Sequence, residues 1–324
     1  MKTIKVSVVI PLYNASTFLK ETIDSVLNQS HTNIEIIIID DHSTDDSFNK
    51  ALEFQSENII VKLNKGKGAC AARNYGFELS TGDYIQFLDA DDILSKDKIA
   101  KQVEALNESK TELAVCNTVH FSGRIEEGKC VDHAYVFSTS KPDELFINLW
   151  GGNNLPMHMI QTSAWLTPRT LIEKAGLWNE SLAKDQDGEF FARVGLQSSG
   201  IIYVPEVINY YRKHNTGKNI ASQKKEIHLD SLLKATNLKA KYLFSRTESD
   251  ASKQAIATQY KHVAIDAWPQ YKTIYNTAIS KCEALGGSNY NPVLGGNIIE
   301  LIKNTLGWRT AKLVAFYGRT FLNR

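Results

Sequence analysis

Four short runs rich in apolar residues, Val6–Ile10, Ile34–Ile39, Ile59–Leu63 and Tyr84–Leu88, recur through the first part of this chain with helix-length segments between them. Runs of this kind, with little polar alternation and too short for helices, read as strands covered on both faces, the pattern of a parallel sheet. The intervening residues change period. Ser16 to Asn28 places Phe18, Leu19, Ile23, Val26 and Leu27 on one helical face, and Ala69 to Leu79 forms a second helix. Ser43 with Asp46 three residues on resembles a capping box and predicts a helix start there. Ser95 stands where it can cap a helix over Lys96 to Asn107, and Leu113–Thr118 reads as a further strand. Strand and helix in alternation predict an open, doubly wound α/β sheet.

Sheets of this class bind ligands outside the C-terminal ends of their strands. Polar clusters fall at those ends: Pro11 to Asn14, Asp40-Asp41, Asn64 to Gly68, and Asp89 to Asp92. The last is the sharpest, with Asp89, Asp91 and Asp92 directly after the strand that follows Gly82-Asp83. Crowded carboxylates repel one another and are costly to bury, so a cation or a set of sugar hydroxyls belongs among them. Hard oxygen donors at this density suit Mg2+ or Mn2+. One acidic turn alone is equally a solvated helix cap, but four ligand-type clusters on one sheet edge argue together. The Gly66-Lys67-Gly68 loop lacks the Gly-Lys-Ser/Thr of a phosphate-binding P-loop.

Totals narrow the function classes. A net charge of +1 gives no general electrostatic case for nucleic acid. Cys70, Cys116, Cys130 and Cys282 are scattered without a CxxC pair, which argues against a zinc site or a disulfide scaffold and fits a reducing compartment. The apolar run after Met1 is too short for a signal sequence, and no stretch approaches the roughly 20 apolar residues of a membrane span. The expected setting is cytoplasmic.

Past residue 122 the periodicity weakens. Asn153 to Met159 reads as a loop lining something, Gln161–Thr167 as a strand, and Pro168–Ala175 as a short helix with Pro in its first turn. Asp185-Gln186-Asp187-Gly188-Glu189 enters an amphipathic helix; acids there are also what a helix dipole favours. Ile201–Val204 and Val207–Tyr211 read as two strands separated by Pro205. From Asn219 to Leu285 the chain is lysine-rich and helix-forming, and a boundary is expected at 215/216. The stretch Asn297 to Arg324 is a basic amphipathic tail. Such a tail suits peripheral contact with an anionic membrane surface, or packing on the domain with a solvated cationic side.

Taken together, Val6-Ser7-Val8-Val9-Ile10-Pro11-Leu12-Tyr13-Asn14, Ile39-Asp40-Asp41-His42-Ser43-Thr44-Asp45, Ala71-Ala72-Arg73-Asn74 and Leu88-Asp89-Ala90-Asp91-Asp92 resemble the family 2 inverting glycosyltransferases of the GT-A fold. The likeness covers residues 4 to 215, and the helical extension after it lies outside. It implies a mixed doubly wound sheet, with a nucleotide-binding half and an acceptor half. It implies base and ribose contacts at Pro11, Tyr13 and Asn14, a uracil-reading carboxylate at Asp41, and nucleotide contact through Arg73. Asp89 opens the DxD pattern, Asp91 resembles the ribose-side carboxylate, and Asp92 resembles the metal ligand, with Asp91 and His214 as further ligands. Arg212 is implied as a phosphate contact and Asp187 as the catalytic base. Gln186 stands where many members carry Glu. Trp150, His158 and Glu189 are candidates for acceptor contacts. The implied partners are a nucleotide-sugar donor, expected to be UDP-linked, and a glycan or lipid-linked acceptor of bacterial cell-surface polysaccharide type, with Mn2+ or Mg2+ as cofactor.

The residues support that chemistry on their own terms. A diphosphate leaving group develops negative charge that a divalent cation neutralises, and an attacking hydroxyl needs a carboxylate to take its proton. A sugar nucleotidyltransferase shares the layout but needs a glycine-rich, basic N-terminal phosphate loop, which Pro11-Leu12-Tyr13-Asn14 is not. A nucleotide-sugar-binding module without catalysis is the other alternative, and the intact Asp89, Asp91, Asp92 and Asp187 speak against it.

Overall fold

The computed structural model describes residues 4–130, 136–214 and 223–322. The chain divides into two compact units, one of Met1–Leu145, Met159–Glu180 and Gln186–Gly217, the other of Phe146–His158, Ser181–Asp185 and Lys218–Arg324. The expected boundary at 215/216 lies outside the described residues.

In the first unit the chain runs β1 (Val6–Leu12), α1 (Leu19–Leu27), β2 (Ile34–Asp40), α2 (Ser47–Leu52), β3 (Ile59–Leu63), α3 (Ala69–Leu79), β4 (Tyr84–Phe87), β5 (Ile93–Leu94), α4 (Lys98–Leu106), β6 (Glu112–Phe121) and β7 (Lys129–Cys130). Helix α5 (Pro142–Leu149) follows, then β8 (Trp165–Pro168), α6 (Arg169–Ala175), α7 (Gln186–Gln197) and β9 (Gly200–Arg212). The strands make one mixed sheet in the order β3-β2-β1-β4-β8-β6-β9-β5, with β7 beside β6. The pairs β1/β2, β1/β4 and β2/β3 are parallel, as the apolar runs predict, and β8 enters antiparallel to both β4 and β6.

Register explains where the acids stand. Val6 to Leu12 pairs with Ile34 to Asp40, so β1 and β2 end level. The β4 ladder stops at Val9↔Phe87, which leaves Asp89 to Asp92 just beyond the pairing. Helix α3 lies hard against this part of the sheet: a Cβ on Gly76 would sit 2.4 Å from the Val9 side chain. Only glycine tolerates that approach.

Several local expectations shift. Ser43 does not cap α2, which starts four residues later; its backbone N–H donates instead to Asp40 Oδ2 at 2.9 Å. Ser95 is not the cap of α4 either: its hydroxyl accepts from Ile208 N at 2.9 Å, tying β5 to β9. The two strands expected around Pro205 are one strand, because the β6 register jumps from Cys116↔Val204 to Asn117↔Ile208 and the extra residues bulge out. The strand expected over Gln161–Thr167 starts later, after a 3₁₀ turn at Thr162–Ala164.

The second unit holds α8 (Glu226–Phe244), α9 (Asp250–Ala267), α10 (Lys272–Ala284) and α11 (Asn297–Leu322). Ser249 caps α9 by accepting from Ser252 N. Lys239, 3% exposed, is neutralised by Asp185 at 2.6 Å. Among the described residues no helix is long and apolar enough to cross a membrane.

At the opposite end of the parallel strands, Glu35 receives Lys5 Nζ, Ser7 Oγ and the Thr81 backbone N–H. Burial alone would raise its pKa, but these hydrogen bonds outweigh it and hold the carboxyl below its ordinary 4.5. A lowered folded-state pKa stabilises above the unfolded value and is lost as pH falls through the folded one. Urea unfolding followed from about pH 7 to about pH 3 should therefore show an acid-side loss of stability that Glu35→Gln makes shallower. An unchanged acid limb in that variant would discard the linkage.

Candidate active site

Three carboxylates follow β4, and each is held by a different part of the chain. Asp89 Oδ1 accepts from Arg73 Nη2 at 2.7 Å. Arg73 comes from α3 and lies with its guanidinium 4.4 Å over the Trp178 ring. Asp91 Oδ2 lies 2.6 Å from His214 Nε2. Asp92 is 1% exposed and accepts from Ser163 Oγ at 2.9 Å and from the Arg212 backbone N–H at 3.2 Å. Burial, then the charges of Asp91 and Asp89, pushes the Asp92 carboxyl well above its usual range. Asp91 is raised too, by burial and then by Asp89, with His214 opposing.

Of the metal donors expected from sequence, Asp92 is buried and accepts two hydrogen bonds, whereas Asp91 and His214 are 29% and 24% exposed and are bonded to each other. Among the described residues no group of three or more His, Cys, Asp or Glu side chains is arranged to hold a metal ion. A two-donor pair fits a cation that arrives with phosphate oxygens, which is how Mg2+ is commonly held, rather than an all-protein cage.

Arg212 also departs from its expected role. Its side chain is 8% exposed and sandwiched between the rings of Phe121 and Phe18, at 4.4 and 4.7 Å. Its Nε donates to the Asp91 carbonyl at 3.0 Å and its Nη2 to Glu21 on α1. The guanidinium is thus committed to fixing the acid turn, not turned out to meet a phosphate.

The other strand ends are interlocked. Asp41 accepts from Gly68 N at 2.8 Å and from Asn64 Nδ2 at 2.8 Å. Gly68 has φ 92° at the entry to α3, a backbone state that favours glycine and aims its N–H at Asp41. Asn14 Oδ1 accepts from Thr44 N at 2.7 Å, and Asn14 N donates to Ser43 Oγ. Asn14 and His42 both have positive φ, 48° and 60°, strain of the kind that collects at functional loops. Pro11 is half-buried and Tyr13 is 60% exposed, which leaves the Tyr13 ring available to stack.

Helix α7 brings the remaining acids. Asp187 is half-buried in its first turn. Glu189 is 1% exposed and pairs with Arg193 at 2.7 Å, so it is internal and not an acceptor contact. Arg193 also donates to the carbonyls of Ala175, Gly176 and Leu177, pinning the turn before Trp178. Trp178 stacks on Phe190 of α7 at 4.1 Å, and Phe87 at the end of β4 meets both edge-on. Tyr211 reports the shared field. Burial, then the charges of Asp92, Asp89, Asp91 and Asp187, pushes its phenol to about 12.

Sequence reasoning missed Ser163, Glu21 and Phe18 as parts of this site. A lone serine, a surface-type glutamate and a phenylalanine on a helix face carry no spacing signal; only the fold brings them to the acid turn. Trp150 and His158 belong to the second unit. Trp150 is 4% exposed, packed on Phe146 and under Lys239 Nζ, which makes it a core anchor rather than a sugar platform. His158 is half-buried, and its backbone N–H donates to Leu149 O at 2.8 Å.

Residues 7–174 match a family described as Glycosyl transferase family 2. An uncharacterized glycosyltransferase, RP339, of Rickettsia prowazekii (strain Madrid E) is 30% identical over 239 residues, covering 71% of this chain and 72% of that one. A putative teichuronic acid biosynthesis glycosyltransferase, TuaG, of Bacillus subtilis (strain 168) is 43% identical over 106 residues, or 32% of this chain and 42% of the relative. Against two further curated glycosyltransferases the match spans only 37% and 40% of the relative's length. Among solved structures, S. aureus TarS 1-349 in complex with UDP-GlcNAc superposes with TM-score 0.61 at 16% identity, over 90% of this chain and 95% of that one. At that identity the likeness is one of fold.

Removing the Arg212 side chain takes away a carbonyl hydrogen bond, an ion pair and two ring faces at once. Arg212→Ala should lower the unfolding free energy by about 3 kcal/mol. Arg212→Lys should recover less than half of that, since an ammonium cannot bridge flat between two rings. Urea denaturation of both variants measures it, and a loss below about 0.5 kcal/mol for the alanine variant would show that the clamp carries no weight.

Proposed function

Because this chain belongs to glycosyl transferase family 2, we propose that it moves a sugar from a nucleotide-sugar donor to a hydroxyl of a glycan or lipid-linked acceptor, with inversion at the anomeric carbon. The observation that carries this reading is the acid turn after β4, where Asp89, Asp91 and Asp92 are each held by a different part of the chain. The acids of that turn serve to hold a cation beside the diphosphate, and Asp187 to accept a proton.

Each residue then has a task. Tyr13 and Pro11 bound the nucleobase, and Asp41, held rigid by Gly68 and Asn64, reads its polar edge. Arg73 holds Asp89 in place and lines the nucleotide side. Asp91 and His214 would hold Mn2+ or Mg2+ beside a bound donor. The ion's contribution is to neutralise charge developing on the departing diphosphate. Asp187 takes the proton of the acceptor hydroxyl as its oxygen bonds to the anomeric carbon and the bond to the diphosphate breaks. A single displacement of this kind inverts the centre and leaves the nucleoside diphosphate as product.

A UDP-sugar is the favoured donor, since the TarS neighbours are described in complex with UDP-GlcNAc and with UDP. TuaG's description as a teichuronic acid biosynthesis enzyme favours a cell-surface polysaccharide as the product. The buried thiols of Cys70, Cys116 and Cys282 agree with a cytoplasmic setting.

Two measurements test this. Thermal shift and slow donor hydrolysis with UDP-, GDP-, dTDP- and CMP-sugars, with and without Mn2+, should show a metal-dependent response to a UDP-sugar. No response to any nucleotide-sugar would remove the transferase reading. In the responding system, Asp187→Asn should lose about 10²–10⁴-fold in turnover while binding of the nucleotide persists. Undiminished turnover would take Asp187 out of the mechanism.

A further inference from the structure

Lys98 is the first residue of α4 and is 0% exposed. A lysine this deep ordinarily sits against a carboxylate, as Lys239 does against Asp185. Lys98 meets two amides instead. Its Nζ donates to Gln102 Oε1 at 2.7 Å, one turn on along α4, and to Gln86 Oε1 on β4. Burial pushes the Lys98 ammonium down to about 8, with the Cys116 thiol opposing. A cation held by neutral groups costs stability in such a place, so its presence there points to another task.

The chemistry of the ammonium decides which way both amides face. It has three donors and no acceptor, so each glutamine must turn its oxygen toward Lys98. Each amide nitrogen is then left to face the other way. Gln86 Nε2 donates to the Ser163 carbonyl at 3.0 Å, and Gln102 Nε2 donates to the Ala164 carbonyl at 3.0 Å. A flipped amide would set its nitrogen against the ammonium and its oxygen against a carbonyl, two repulsions in place of two bonds. Both carbonyls belong to the 3₁₀ turn Thr162–Ala164. From that turn Ser163 Oγ donates to Asp92 Oδ2 at 2.9 Å and accepts from the Asp89 backbone N–H at 3.3 Å. Lys98, Gln86, Gln102 and Ser163 are all fully buried, so water does not stand in for a lost link.

We propose that Lys98 is a positioning residue for the acid turn: through the amides of Gln86 and Gln102 it fixes the place of Ser163, and Ser163 sets Asp92 and the backbone of Asp89. The relay runs from cation to amide to carbonyl to hydroxyl to carboxylate, and every member lies in the first unit. The competing role for Lys98 is to fill space beneath α4. A methionine is unbranched and flexible and fills that space too, but it has no N–H to give. The dependence of sugar transfer on this relay rests on the transferase reading; the dependence of the turn on it does not.

Hydrogen exchange read by mass spectrometry on the full chain tests the relay with no donor present. In Lys98→Met, peptides over residues 88–93 and 162–166 should exchange about 10-fold faster, the local loss expected when buried hydrogen bonds are removed. Peptides of β1 and β2 should keep their protection. Gln102→Glu should show the same pattern, because its carboxylate still pairs with Lys98 but cannot donate to the Ala164 carbonyl, and it carries the test if the methionine variant does not fold. Faster exchange throughout the sheet would reduce Lys98 to a filler of the core, and unchanged exchange in the two peptides would show that it sets nothing there; either overturns the proposal. In protein that hydrolyses a UDP-sugar, the Mn2+ concentration for half-maximal hydrolysis should rise about 10-fold in both variants. An unchanged Mn2+ requirement would mean that the relay shapes the turn without serving the site, and also overturns it. Wild-type protein that answers to no nucleotide-sugar removes the transferase reading, and the exchange result then still decides whether Lys98 positions the turn.

Discussion

Three negative charges placed within four residues at the end of β4 are the constraint this fold is built to satisfy. Left alone they would repel one another and drive the turn open to water. Each is instead answered from a different direction: Asp89 by Arg73 from α3, Asp91 by His214 from beyond β9, and Asp92 by Ser163 and the backbone of Arg212. The groups that answer lie up to 123 residues away in sequence. The first unit therefore cannot form its acid turn before β8 and β9 are in the sheet. The antiparallel entry of β8 between β4 and β6 is what puts Ser163 in reach.

Arg212 shows how one side chain serves both stability and chemistry. It holds the Asp91 carbonyl and reaches Glu21, while its backbone holds Asp92. A family resemblance alone suggests a basic residue facing phosphate. Burial between Phe18 and Phe121 shows a basic residue facing the protein. Asp91 and His214 are the side chains of this cluster that stay partly exposed.

The parallel half of the sheet was legible because its strands are covered on both faces, so Val6–Ile10 and Ile34–Ile39 show an apolar run that nothing else produces. Strand ends followed from the same runs, and with them the clusters at Asp41, Asn64 to Gly68 and Asp89 to Asp92. The antiparallel half was less legible. β9 looks like two strands because Pro205 cannot donate to a ladder, and the bulge that accommodates it has no sequence mark. Side-chain roles were the least legible part. Ser43 and Ser95 have the right neighbours for helix caps, yet both lie where another element offers a closer partner. Glu189 and Trp150 belong to residue types that ligand sites use, and burial alone separates them from that use.

The rings of Phe87, Trp178 and Phe190 join the end of β4 to the helix that carries Asp187. Salt and pH alter the strength of every ionic link around the acid turn, and they act on ring packing hardly at all. The aromatic group therefore works as a mechanical mount. It holds the end of β4 against α7 while the charges around them titrate, so a change in buffer retunes the electrostatics of the acid turn without loosening this packing.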